Sequence, residues 1–171
     1  FGLIPVKFKT TGAPIYVMNP LQLKKVLSIP GAWGGTVYWR VVGTSSNGTQ
    51  SMSGKRSILV PEPQPVGDPV IAPVSSSQLP ALTWENQCNY KFRVWFGNDP
   101  GFFATRSILY SIPDPEEDGG VFSKELSSSQ WRGIRMLVLD RPGWPIYWYV
   151  ESWDGAGRRA TTDTMAFILE D

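Results

Sequence analysis

Apolar and polar residues alternate along much of this chain. The clearest stretch is Tyr90–Phe96, where Tyr90, Phe92, Val94 and Phe96 are interleaved with Lys91, Arg93 and Trp95. A period of two means a β-strand with one buried and one outward face. The same alternation sets Ile146, Trp148 and Val150 inward, with Tyr147 and Tyr149 outward. An earlier stretch places Val37, Trp39 and Val41 inward, against Tyr38, Arg40 and Val42. Shorter strands are predicted at Val6–Phe8, Pro14–Met18, Ser57–Val60, Pro69–Val74, Leu79–Glu85, Phe103–Ser111, Val121–Leu126 and Thr164–Leu169.

Two places break this rhythm. Asn19-Pro20 reads as a helix start, with Asn as N-cap and Pro at the first position; Leu23, Val26 and Leu27 then share a helical face. Ser127–Trp131 starts a second helical turn that carries Trp131, Ile134 and Met136–Leu137. These two helices precede the two aromatic strands, and the strands align without a gap at an offset of 109 positions. Tyr38, Trp39, Val41 and Gly48 recur as Tyr147, Trp148, Val150 and Gly157. An internal repeat of this kind predicts two related units. Pro61, Pro63 and Pro65 at alternate positions predict a stiff, extended connection between them. The expected division is 1–61, a linker at 62–67, and 68–171.

Composition narrows the function classes. The 171 residues include 17 Gly and 15 Pro, in keeping with many strands joined by tight turns. Sixteen basic and 15 acidic residues leave a net charge of +1, which gives no electrostatic reason to expect nucleic acid as a partner. No apolar run approaches the length of a membrane span, and no signal peptide is visible. The chain begins without Met, inside what reads as a repeat, and is expected to be a fragment of a longer protein. One cysteine, Cys88, permits no disulfide within the chain, and the absence of histidine removes the commonest general base and metal ligand. No serine therefore has an activating histidine, and no carboxylate pair is marked by its spacing. The chain is expected to be non-catalytic and to carry no cofactor.

Seven short strands with turns between them suggest an antiparallel sandwich. Leu82-Thr-Trp84, Tyr90-Lys-Phe92-Arg-Val94 and Ile146-Tyr-Trp148-Tyr-Val150 followed by Asp154-Gly155 resemble the second, third and sixth strands of the fibronectin type III family, in its bacterial extracytoplasmic form. Val37-Tyr-Trp39-Arg-Val41 carries the sixth-strand signature again. The resemblance covers about 68–171 in full and implies an all-β, immunoglobulin-like fold and an extracellular or cell-envelope location. Two departures stand out: a short helix precedes the sixth strand in both units, and the first unit lacks its first three strands. In this family the third strand lies beside the sixth. Tyr38–Val42 would otherwise keep an unpaired edge, so a neighbouring chain or the second unit is expected to cover it.

The candidate surface comes from the outward residues of the third and sixth strands, which should be neighbours. Lys91, Arg93, Trp95, Tyr147, Tyr149 and Glu151 would form an aromatic patch with charges around it, suited to a protein or a polysaccharide. The plainer account is a set of cross-strand pairs that stabilise the sheet. Other features have plainer accounts too. Trp84 and Trp148 read as core rather than sugar platforms. Asp114, Glu116, Glu117 and Asp118 read as a solvated loop rather than a cation site. Asn47-Gly48-Thr49 fits an N-glycosylation triplet but also a hairpin turn. Arg158 and Arg159 read as a solvated turn before a contact for a carboxylate partner, and Cys88 as an incidental small residue. The expected role is a spacer and protein-binding module of a larger surface or secreted protein; a glycan-binding accessory module of an extracellular enzyme is the alternative.

Overall fold

The computed structural model describes residues 17–75, 77–87, 89–102, 107–112 and 120–169. The strands expected at Val6–Phe8 and Pro14–Met18 lie wholly or largely outside these residues. So do Cys88 and the acidic run at 114–118. The described chain is mostly β-strand in antiparallel sheets, with few helices. It divides into two compact units, residues 1–63 with 156–158, and residues 64–155 with 159–171.

The second unit contains β5 (Gly67–Ala72), β6 (Ala81–Asn86), β7 (Asn89–Gly97), β8 (Ser107–Ile112), β9 (Gly120–Glu125), α2 (Ser128–Arg135), β10 (Ile146–Asp154), β11 (Arg159–Thr161) and β12 (Met165–Phe167). One sheet runs β5-β6-β9. The other runs β11-β10-β7-β8, with β12 continuing beside β10 where β11 leaves off. Every pairing in both sheets is antiparallel. The inward set read from the alternation is buried as expected: Leu82 and Trp84 on one sheet, and Phe92, Val94, Phe96, Ile146, Trp148 and Val150 on the other, in a single core. Trp84 meets Phe92 edge-on at 5.1 Å and stacks on Phe122 at 4.7 Å, while Phe96 stacks on Trp148. Val66, from the stretch expected as linker, is buried in this same core.

Helix α2 packs Trp131 and Ile134 into this core. Its N-cap Ser127 and Gln130 form a reciprocal capping box, satisfying two backbone donors that a helix start leaves open. Trp131 and Ile134 are buried; the Trp131 indole donates to the Ser75 carbonyl at 3.2 Å and its ring stacks on Phe167. Tyr110 donates from β8 to the Gln130 carbonyl at 3.1 Å.

The first unit contains α1 (Pro20–Leu27), β1 (Gly35–Trp39), β2 (Val42–Thr44), β3 (Gln50–Met52) and β4 (Arg56–Val60). Helix α1 has the same capping box, between Asn19 and Gln22. Strands β1 and β2 are one path interrupted at Arg40 and Val41, and they pair with β4 and β3 respectively. The internal repeat extends to register. Val42↔Met52, Gly43↔Ser51 and Thr44↔Gln50 in the first unit become Glu151↔Thr161, Ser152↔Ala160 and Trp153↔Arg159 in the second. Val37↔Ile58 and Trp39↔Arg56 become Ile146↔Phe167 and Trp148↔Met165. All of these pairs are offset by 109 positions. In the second unit β10 runs unbroken through the equivalent point, and only its partner changes, from β12 to β11; the hydroxyl pin at this point is the same in both units. The Val41 N–H donates to the Ser53 hydroxyl at 2.9 Å while the Ser53 N–H donates back to the Val41 carbonyl at 2.9 Å. Val150 and Thr162 repeat both bonds at 3.0 Å.

Burial does not repeat, and here the sequence expectation needs correction. Val37 is buried like Ile146, but Trp39 is 48% exposed where Trp148 is 2%, and Val41 is 57% exposed where Val150 is 0%. Alternation records which side chains share a face. It does not record whether a second layer lies over that face. In the second unit β7 lines the far edge of β10 from Tyr147 to Asp154, and the β5-β6-β9 sheet covers the inward side. Among the described residues, β1 pairs only with β4 and β2 only with β3.

Candidate functional site

The site expected from the sequence lies on the outer face of β7 and β10. The register places Tyr147 opposite Gly97, Tyr149 opposite Trp95, Glu151 opposite Arg93, and Trp153 opposite Lys91. Directly opposed residues in an antiparallel pair project from the same face, so all six predicted residues share one surface. Ser152 and Val150, between them, point into the core and are fully buried.

The centre of this surface is an interlocked group. Trp95 and Tyr149 lie parallel with ring centroids 6.2 Å apart. The Trp95 indole N–H donates to Glu151 Oε2 at 3.0 Å, and Arg159 Nη1 donates to Glu151 Oε1 at 2.9 Å. Glu151, expected at the exposed margin of the patch, is instead 5% exposed. Two donors compensate the carboxylate for lost water. Arg159 stays solvated, its side chain 61% exposed, while it reaches this carboxylate from β11. Burial, then the charge of Glu151, pushes the Tyr149 phenol above its ordinary value, with Arg159 pulling in the opposite sense.

The margin is cationic and aromatic. Lys91 Nζ and the Arg93 guanidinium each lie 5.1 Å from the centre of the Trp153 ring, within cation–π range. At the other end, Phe102 meets Tyr149 edge-on at 4.7 Å. The turn after β7 brings Phe102 there: its N–H donates to the Asp99 carbonyl at 3.1 Å, and its backbone takes a positive φ of 52°. Its ring lies over Gly97, where an added Cβ would stand 2.9 Å from Phe102 Cε1. A side chain at position 97 would therefore displace the Phe102 ring from its present place. Phe102 was not legible as part of the site, because nothing in its local sequence shows which strand the turn folds over.

The remaining candidates resolve as follows. Trp84 and Trp148 are core. Asn47 Oδ1 accepts from the Thr49 N–H at 3.0 Å and from the Ser45 hydroxyl, while Gly48 takes a φ of 85°; these are the marks of a tight turn. Among the described residues no group of acidic, cysteine or histidine side chains is placed to hold a metal ion, and no helix is long and apolar enough to cross a membrane.

No family model matches the sequence, and no curated protein does either. Among solved structures, wild-type OgpA from Akkermansia muciniphila is similar at a TM-score of 0.39 and 14% identity, over 60% of this chain and 27% of that one. Catalytically inactive OgpA from the same organism, in complex with an O-glycopeptide (glycodrosocin) substrate, is similar at a TM-score of 0.39 and 14% identity over 63% and 29% of the two chains. The chain thus spans less than a third of the length of either.

Proposed function

We propose that this chain is a non-catalytic spacer and protein-binding module of a larger surface or secreted protein, built from fibronectin type III-like units, the first of them partial. The β5-β6-β9 and β11/β12-β10-β7-β8 strand orders support the fold reading. Three alternate prolines between β4 and β5 support the spacer reading. The non-catalytic reading draws on the lack of histidine, which leaves no serine with an activating imidazole.

The observation that carries the binding role is the preorganised face itself. Trp95, Tyr149 and Phe102 present rigid aromatic surface, and Lys91 and Arg93 are held at its margin against Trp153. Rigid aromatics beside cations are the composition of protein-binding hot spots. The face of Trp153, which a sugar ring would otherwise stack on, is occupied by two cations of the chain itself.

The test is a binding screen of the chain and its Tyr149→Ala and Lys91→Ala variants against a protein array and a polysaccharide panel in parallel. Saturable protein binding that weakens about tenfold or more in Tyr149→Ala is expected. Saturable polysaccharide binding that Tyr149→Ala abolishes would contradict the proposal and favour a glycan-binding accessory module.

A further inference from the structure

The repeat specifies what the far edge of β1–β2, which has no paired strand among the described residues, is built to receive. Strands β1 and β2 reproduce β10 in register and in the hydroxyl pin at the central valine. In the second unit, the far edge of β10 is filled by β7, which sets Phe96 opposite Trp148, Val94 opposite Val150 and Phe92 opposite Ser152. Shifted by 109 positions, the same three places are Trp39, Val41 and Gly43. Trp39 and Val41 are exposed apolar residues, and Gly43 is smaller still than the serine that faces Phe92. The Val41 N–H and carbonyl are spent on Ser53. By the alternation of a strand ladder, the backbone groups of Arg40 and Val42 therefore face the open edge. The outer face is distinctive as well. Arg40 stands where the second unit has Tyr149, and Lys55 lies 4.5 Å from the centre of the neighbouring Tyr38 ring, so this face is basic.

We propose that the β1–β2 edge is a strand-addition site. Its occupant is an antiparallel strand of a partner polypeptide, with large apolar residues at the alternate positions opposite Trp39, Val41 and Gly43 and an acidic residue opposite Arg40. Main-chain hydrogen bonds to Arg40 and Val42 supply the attachment, the apolar residues cover the exposed face, and the acidic residue sets the register by charge.

The probe is a nine-residue peptide with the sequence Asn89–Gly97 carrying Trp95→Glu, which aligns the new carboxylate with Arg40. Controls are the same peptide with Trp95→Lys and a scrambled peptide that destroys the alternation. Backbone amide exchange is followed by NMR on the whole chain. The first peptide is expected to bind saturably and slow exchange at Arg40 and Val42 by about tenfold or more. The lysine peptide binds more weakly, the scrambled one not at all, and Val41→Lys in the chain abolishes the effect without altering its free spectrum elsewhere. Equal protection by the scrambled peptide, or no protection at millimolar peptide, would overturn the proposal. So would protection of Arg40 and Val42 that appears without peptide as the chain is concentrated, since the occupant would then be a second copy of the chain.

Discussion

Residues 35–60 and 144–169 adopt the same backbone plan in two different surroundings. Both place an aromatic strand after a capped helix and a short helical turn. Both hold a valine of that strand by a hydroxyl residue twelve positions on, where the returning chain breaks into two short strands, and both return through a hairpin whose glycine has a positive φ. The second copy buries its tryptophan and valine under another sheet, whereas the first exposes them. The local plan is therefore set by local sequence: the caps, the hydroxyls and the turn glycines. Burial is set by neighbours that lie elsewhere in the chain. Apolar side chains at matching positions are core in one copy and surface in the other.

The largest effect that would break the comparison comes from placing the same charge at the paired valines. Val150→Lys buries an unpaired ammonium among Val94, Trp148 and their neighbours. It is expected to cost about 3–5 kcal/mol or more, abolishing cooperative unfolding of the second unit in a urea titration. Val41→Lys is expected to stay within about 0.5 kcal/mol, because its site is open to water. Comparable losses at the two sites would show that the first copy is packed like the second.

A smaller contrast tests the hydroxyl pins. Thr162→Ala leaves the N–H of the buried Val150 without its acceptor and should cost about 1–3 kcal/mol. In Ser53→Ala, water replaces the hydroxyl at an exposed site, and the loss should fall below about 0.5 kcal/mol. Thermal unfolding of each single variant measures the difference.

The smallest effect sharpens the account of the second unit through pH. Burial raises the phenols of Tyr110 and Tyr149 above their ordinary value of about 10. The neutral forms are then favoured in the folded state. The associated stability is complete below about pH 10 and is lost as pH rises through the folded values. Urea midpoints measured from pH 9 to 11 should fall, and Tyr110→Phe with Tyr149→Phe should flatten that fall.

Much of this was legible in the sequence. The period of two from Tyr90 to Phe96 located the central strand and its inward face. Asn19-Pro20 marked a helix start, and the recurrence of Tyr-Trp at 38–39 and 147–148 exposed the repeat. Glu151 was not legible as buried, because alternation assigns an acid beside Val150 to solvent. Its shelter comes from an indole on β7 and a guanidinium across the hairpin, contacts 56 and 8 residues away in sequence. Trp39 was misjudged for the complementary reason: its own strand is well formed, but the strand that covers its counterpart has no equivalent beside it among the described residues.

The measurement that bears most directly on the central contrast is native-state amide exchange, read residue by residue in a dilute, monomeric sample. Arg40 and Val42 should exchange at rates close to those of an unstructured chain, while Tyr149 and Glu151, their counterparts facing β7, should exchange only when the second unit unfolds. Strong, matching protection at all four amides in the monomer would contradict an open edge on the first unit.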